Sequence, residues 1–383
     1  MAWLGTWAKR AELTVDHTNI DGNLTWYPVP LFINATSGQS NDDLTEIFDD
    51  LGANSLKIAV TKADGTTEIY VEVEQWDNGA EEAILHVSKS DLVVTTAGAT
   101  TLYIYFDPTE DDNAAMVAVV GDRTEVWDGD FEAVYHLADD DTGTTVIDST
   151  SNNKDATKKA NADPSQDTGI VGLGQRFDGA DDHISLPAIF NNPTEYTIQV
   201  MGHLDDDGLD QRLIAYNDDG IFSGIHMHAE ATVDRAMGNS WDGDMDAQIT
   251  DDGYDLTDPH LYALTAKDND FVELWIDGVS SGQAAIGLLL ELGGGGRQMG
   301  SNRSATGSWV DGLIDETRFS SVVRSDDWNK ADHYALTDNL LEFGAVEALP
   351  VETRVIIPTG EIEITGYAPT VVAEESSVIN PEK

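Results

Sequence analysis

The chain has 383 residues, 40% of them apolar, enough for two or three domains with cores of their own. Its 71 acidic residues against 20 basic give a formal charge of −51, so no basic stripe exists to displace counterions from a phosphate backbone, and nucleic acid is excluded as a partner. Cysteine is absent, which removes disulfides and thiolate metal sites; the most apolar run, "AAIGLLLEL" from Ala284, is far short of the roughly 20 residues that cross a bilayer.

The acids run from end to end, in "TEDDN", "LADDDTG", "HLDDDGLD" and "ITDDGYD", and are not gathered in a tail. Spread in this way they mark adaptation to the solvent. Self-repulsion destabilises such a chain at low ionic strength, while molar salt cuts the Debye length to about 3 Å and removes most of that repulsion. The expected setting is halophilic, as in haloarchaea.

Residues 1–122 alternate with period two. In Ile69, Val71 and Val73 against Tyr70, Glu72 and Glu74 the two faces separate cleanly, which predicts a β-sandwich-like module with one wet face on which Glu72 and Glu74 are solvated. Asp64-Gly65 predicts a hairpin turn. "NDDLTEIFDDLG" predicts a helix capped by Asn41, with Asp42 and Asp43 in its first turn, Leu44, Ile47, Phe48 and Leu51 on one face, and Gly52 as its stop.

Residues 123–345 carry many short strands spaced by Gly, Asn and Asp, the pattern of a sandwich or jelly roll. Asp277-Gly278 is its strongest hairpin signal. "SDDWNKADHYAL" predicts a helix capped by Ser325, with Trp328, Ala331 and Ala335 turned inward. Residues 346–383 read as an extended C-terminal arm with two brief alternating runs, for which pairing with another subunit and a loosely held tail are both open.

"VWDGDFEAVYHLADD" (126–140), "IDSTSNN" (147–153), "GQRFDGADDHISLP" (174–187), "FVELWIDG" (271–278) and "VDGLIDETRFSSVVRSDDWNKADHY" (310–334) stand in the order of a tryptophan-led entry strand, an Asp-Ser-Thr turn, a Phe-Asp-Gly strand and a closing Gly-x-Ile-Asp-Glu-x-Arg strand. In this the chain resembles the laminin-G-like, concanavalin A-like jelly-roll family. The first region, in "WAKRAELTVDHTNIDGNLTWYPVPLFI", "KADGTTEIYVEVEQWD" and "LYIYFD", resembles a module of unknown function that commonly precedes this jelly roll, and "TDNLLEFGA" resembles the usual end of the pair. Two departures stand out: "NNKDAT" lacks the glycine usual after the Asp-Ser-Thr turn, and Val200-Met201 replaces a frequent tryptophan. The resemblance implies a mainly β protein and contact with glycans or glycoproteins.

The acid pair Asp315 and Glu316 is the first candidate for chemistry. Alternation along a strand sends the two to opposite faces, with Glu316 free to pair with Arg318, whereas a glycosidase needs two carboxyls about 5 to 9.5 Å apart across one bond. The resemblance likewise places Asp315, Glu316 and Arg318 in a scaffold signature. His226 and His228 share a strand face but make only half of a metal site. Trp241 offers a flat face to a sugar, and Asp242 and Asp244 beside it resemble a calcium loop without its required Gly and Glu. Asp178, Asp181 and Asp182 form a family turn that is a second candidate for Ca²⁺ or another divalent cation. "GGGGRQ" lacks the Lys and Ser/Thr of a phosphate loop, and neither a Gly-x-Ser-x-Gly elbow nor a cysteine nucleophile is present.

The expectation is a non-enzymatic protein that requires no cofactor. Met1–Arg10 lacks the basic start and apolar run of a secretory signal, which is read as release by lysis on a virus particle. "TGEIEITGYAPTV" resembles short segments in structural proteins of tailed viruses. The combined expectation is a virion surface protein, a capsid spike (turret) or tail-fibre component, of a haloarchaeal tailed virus. Its expected partners are copies of itself, other virion proteins and host glycans, without insertion into a membrane. A host cell-surface adhesin and a polysaccharide depolymerase are the alternatives.

Overall fold

A computed structural model describes residues 2–191, 193–205, 210–218, 221–230, 233–241, 246–251, 253–287, 296–350, 353–357 and 360–364. The first module is built on a nine-stranded sheet. Its main path runs Leu341–Phe343, Lys9–Val15, Thr100–Phe106, Ile58–Lys62, Glu68–Asp77, Glu82–Ser88, Val29–Ile33, and Val117–Val119 joins Glu68–Asp77 in parallel. The alternation decides which face is core: Ile69, Val71 and Val73 are buried with Leu13, Leu85 and Ile104. The turn at Asp64-Gly65 forms as expected, with Gly65 at φ 73°.

The first helix is shorter than its periodicity predicts. It spans Glu46–Leu51, while Asn41 sits at φ 56° outside it. Asp43 explains the delay, because its carboxylate accepts from the Thr45 backbone N–H (3.0 Å) and hydroxyl (2.7 Å), a local bonding pattern that competes with the helical turn. The apolar face is as expected, with Leu44, Ile47, Phe48 and Leu51 all buried.

The second module is a sandwich of two eight-stranded sheets resembling a concanavalin A-like jelly roll. One sheet runs Ser165–Thr168, Leu173–Asp178, Asp311–Ser320, Glu195–Leu204, His260–Lys267, Phe271–Ile276, Val279–Ala285, with the entry strand Phe131–Tyr135 also paired to Asp311–Ser320. The other contains Thr145–Val146, Ala156–Lys158, Ile184–Ser185, Arg297–Met299, Asp210–Asp218, Ile221–Glu230, Val233–Trp241 and Asp246–Asp251. Tyr135, Phe177, Tyr196, Ile198, Tyr216, Leu264 and Phe319 fill the space between them. The hairpin turn at Asp277-Gly278 has φ of 52° and 74°, the positive pair that matches strand twist.

Two segments weld the modules together. The helix Asp326–Leu336 is capped by the Ser325 hydroxyl, which accepts from Trp328 N at 3.2 Å, and it delivers Trp328, Ala331 and Ala335 into the core of the first module. The chain then pairs Leu341–Phe343 and Glu347–Ala348 with Lys9–Val15, so these late residues complete the first sheet. Beyond them Thr353–Ile357 and Gly360–Ile364 pair with each other as a hairpin. Among the described residues no helix is long and apolar enough to cross a membrane.

The wet face expected on Glu68–Asp77 is not wet. Glu72 is fully buried, as are the side chains of Glu74 and His86, because the outer face of the first jelly-roll sheet lies against it. Phe32 and Ile84 of the first module pack there with Val171, Met201, Leu261 and Leu336 of the second. Alternation told the two faces apart, but a polar stripe facing solvent and one facing another module read the same.

Candidate functional site

The closing strand Asp311–Ser320 brings chemistry to this interface through a β-bulge. Met201 lies opposite Asp315 and Gln199 opposite Arg318, so Glu316 and Thr317 together face the single position of Val200. Glu316 takes up the extra residue at φ 37°. Ile314 and Phe319 still point into the sandwich, and Thr317 reaches Met299 Sδ at 3.7 Å. Asp315 and Glu316 therefore share the outer face, contrary to the expectation of opposite faces. A bulge breaks the two-residue period, and nothing in the local residue types marks it.

Both carboxyls are fully buried. Asp315 Oδ2 accepts from the backbone N–H groups of Ile170 and Val171, both at 2.8 Å, and Oδ1 from Glu316 N at 2.8 Å. Glu316 Oε2 accepts from Arg318 Nε and Nη2 at 3.1 and 2.8 Å, the pairing expected of residues two apart. Its other oxygen meets His136 Nδ1 at 2.5 Å. Arg318 also faces Asp332 at 3.6 Å, whose carboxylate accepts from Tyr27 Oη (2.9 Å) and Gln199 Nε2 (2.7 Å).

The first module supplies the rest. Glu74 Oε2 lies 2.7 Å from His86 Nε2 and 3.4 Å from His136 Nδ1, and the two imidazoles stack with centroids 4.4 Å apart at 24°. Glu72 Oε2 accepts from Trp127 Nε1 at 2.6 Å and lies 3.6 Å from His136 Nε2, while Oε1 accepts from Gly121 N at 3.1 Å. Glu74, His86, His136 and Glu316 each place one donor atom within 4.8 Å of all the others, the spacing of a metal-ligand set.

Burial disfavours charge throughout, and the neighbours decide who keeps it. Burial pushes the Glu74 carboxyl well above the carboxylate range, and the nearby Glu316 charge adds to this against the pull of His136. For His136 burial works against the imidazolium, but Glu316 and Glu74 outweigh it and hold its pKa well above the usual histidine value. His86 is driven well below it by burial and then by the charge on His136. Glu316, despite its burial, is held far below the carboxylate range by His136 and Arg318.

A cleft of about 400 Å³ opens onto this cluster, lined by Glu74 and His136 together with Val120, Asp139, Asp140 and Ile147. Asp139 in its wall is raised to about 6, chiefly by burial.

The other residues singled out by sequence lie elsewhere. Asp178 caps its own turn, its Oδ1 accepting from Ala180 N at 2.9 Å, and Asp182 accepts from Asp178 N. Asp181 and Asp182 gather with Asp163 instead, where the Lys159 ammonium already bridges Asp163 (3.1 Å) and Asp181 (2.5 Å). Trp241 ends a strand of the second sheet, but its side chain and those of His226 and His228 lie outside the described residues, as do Asp242 and Asp244 entirely. Sequence reading missed His86 and His136 as site residues and placed Glu72 and Glu74 in water. The available signal was thin: a histidine inside the "AVYHLADD" entry strand and an acid pair on an otherwise apolar strand.

No protein-family model matches the chain, and no curated protein sequence matches it. Among solved structures it is similar to domain 4 of an extracellular arabinanase from Geobacillus stearothermophilus, solved with arabinotriose, at 17% identity and TM-score 0.40, over 53% of this chain and 97% of that one. It is similar to the receptor-binding domain of botulinum neurotoxin mosaic serotype C/D at 9% identity and TM-score 0.41, over 53% of this chain. It is also similar to the binding domain of Paraclostridial mosquitocidal protein 1 at 10% identity and TM-score 0.41, over 54% of this chain. The chain spans about half the length of these two toxin domains, 50% and 52%.

Proposed function

We propose that the protein is a non-enzymatic surface protein of a high-salt environment, in which the first module mounts a jelly roll that contacts glycans or glycoproteins. The observation that carries this is the division of labour between the two jelly-roll sheets. The first sheet is committed to the first module through Met201, Leu261 and Glu316. Among the described residues none of the second sheet joins the apolar clusters shared with that module, which leaves its outer face for a partner.

In this reading the jelly roll is of the laminin-G-like kind, and the whole is a spike or tail-fibre component of a tailed virus of a halophilic archaeon, displayed in several copies. The acidic composition supports the high-salt setting, and the C-terminal segment's resemblance to tailed-virus structural proteins supports the virion. Labelled protein applied in molar KCl to a glycan array and to halophilic archaeal cells is expected to bind a defined glycan set. Antibody labelling of purified particles is expected to decorate their surface. Absence of binding to glycans and cells alike would remove the recognition role, and unlabelled particles would remove the virion placement.

One observation favours a second reading, a polysaccharide depolymerase: Glu74, on a strand of the first module, and Asp139, in the loop after Phe131–Tyr135, line the same cleft. Shortening of a host polysaccharide on incubation, abolished by Asp139→Asn, would establish it. Unchanged polymer with retained binding is the outcome expected of a binding module.

A further inference from the structure

We infer that the buried cluster between the modules is a binding site for one divalent transition-metal ion, ligated by His86, His136, Glu74 and Glu316, with Glu72 orienting His136 from behind. The ligands come from four separate strands or strand ends, Glu74 and His86 from the first module and His136 and Glu316 from the second, so the ion clamps the two modules together.

Unpaired atoms point to it first. Glu74 Oε1 and His86 Nδ1 have no hydrogen-bond partner although both side chains are 0% exposed. Orphaned polar atoms at such depth are costly, and two in one cluster indicate a missing partner. Charge points the same way. Glu72, Glu74, Asp315, Glu316 and Asp332 are five buried carboxyls, met by the Arg318 guanidinium and the His136 imidazole. A dication offsets part of that acidic excess.

The surroundings are those of a metal site. Ligating histidines usually pass their second nitrogen to a carboxylate, and His136 Nε2 lies 3.6 Å from Glu72 Oε2, itself held by Trp127 Nε1. Glu316 is held from behind by Arg318. Both Glu74 and His136 line the cleft, which supplies an entry path. Two imidazoles with two carboxylates suit zinc and its first-row neighbours, whereas calcium and magnesium prefer oxygen alone. A closed set of four protein ligands marks a structural ion.

The test uses the full chain in molar KCl, which screens adventitious binding to the acidic surface. Protein stripped with chelator and then dialysed against Zn²⁺ is expected to retain one equivalent through gel filtration and to melt at a higher temperature than the stripped form. Co²⁺ in place of Zn²⁺ is expected to give the visible absorption of a nitrogen- and oxygen-ligated ion of low coordination number. Glu74→Gln, nearly isosteric, is expected to weaken binding by about 100-fold or more, beyond the 10–100-fold typical of an outer-shell change. It is also expected to melt near the stripped wild type and to gain nothing from Zn²⁺; a purely structural hydrogen-bonding role for Glu74 predicts a loss relative to the stripped form instead. Failure to retain metal, a Co²⁺ spectrum of hexaaqua type, or equal retention by folded Glu74→Gln would each overturn the inference. If the variant does not fold, stoichiometry and the Co²⁺ spectrum of the wild type decide it.

Discussion

Arg318 illustrates how much one residue carries at the module interface. Its guanidinium is 2% exposed and bonds Glu316 twice, with Asp332 opposite at 3.6 Å. Removing one member of a buried ionic set strands the others, at a typical loss of about 3–5 kcal/mol. Arg318→Met should lose stability of that order in denaturant titrations run in molar KCl, and Arg318→Lys should recover only part, because a point charge cannot reproduce the fork. His260 supplies a pH-dependent contribution. It lies 2.6 Å from Asp277, with Asp258 nearby and His333 3.5 Å from the same carboxylate. Burial works against the His260 imidazolium, but Asp277 outweighs it and raises its pKa; Asp277, also partly buried, is held below the carboxylate range chiefly by His260 and His333. A raised histidine stabilises fully below its ordinary 6.5 and loses this as pH rises through its folded value. A depressed aspartate stabilises above its ordinary 3.8 and loses this only in stronger acid. The gap in melting temperature between wild type and His260→Gln should therefore be widest between those two values and shrink towards alkaline pH.

Among elements, the Asp277-Gly278 hairpin and the helix Asp326–Leu336 constrain each other. Gly278 sits at φ 74°, and a Cβ there would meet Lys330 Cα at 2.8 Å and the Asn329 carbonyl at 3.2 Å. The turn is thus wedged against the helix that carries Trp328 into the first module. Gly278→Ala should cost about 1–2 kcal/mol for the left-handed backbone alone, and more for displacing the helix. Calorimetry is expected to register this as a lowered transition of the whole protein, and a local loss confined to the hairpin would contradict the wedge.

For the whole molecule, a shared apolar core and a shared buried charge network leave no plane along which the modules separate freely. Val126, Trp127, Phe131, Val134 and the helix all belong to the core of the first module. Thermal unfolding in molar KCl should therefore be one cooperative transition, with calorimetric and van't Hoff enthalpies in agreement. With a net charge of −51, lowering the salt should reduce the melting temperature steeply, because the repulsion becomes long-ranged as the Debye length grows. Two resolved transitions in molar salt would show the modules to be independent.

Much of the architecture was legible in the chain itself. Alternation, turn residues and the Ser325 cap marked out two β modules and a late helix, because strand period, positive φ and capping are local properties. The acidic excess, a property of composition alone, predicts a high-salt setting. The site was not legible in this way. Glu74, His86, His136 and Glu316 lie far apart in sequence, and each has an ordinary local reading as a solvated acid, a strand histidine or a scaffold motif. The bulge at Glu316 turned Asp315 and Glu316 to one face, and the docking of one module on the other took Glu72 and Glu74 out of water. Local residue patterns determined the elements and which face of each is apolar; only the tertiary structure decided which polar face is buried and which carboxylates meet, because those depend on contacts between residues distant along the chain.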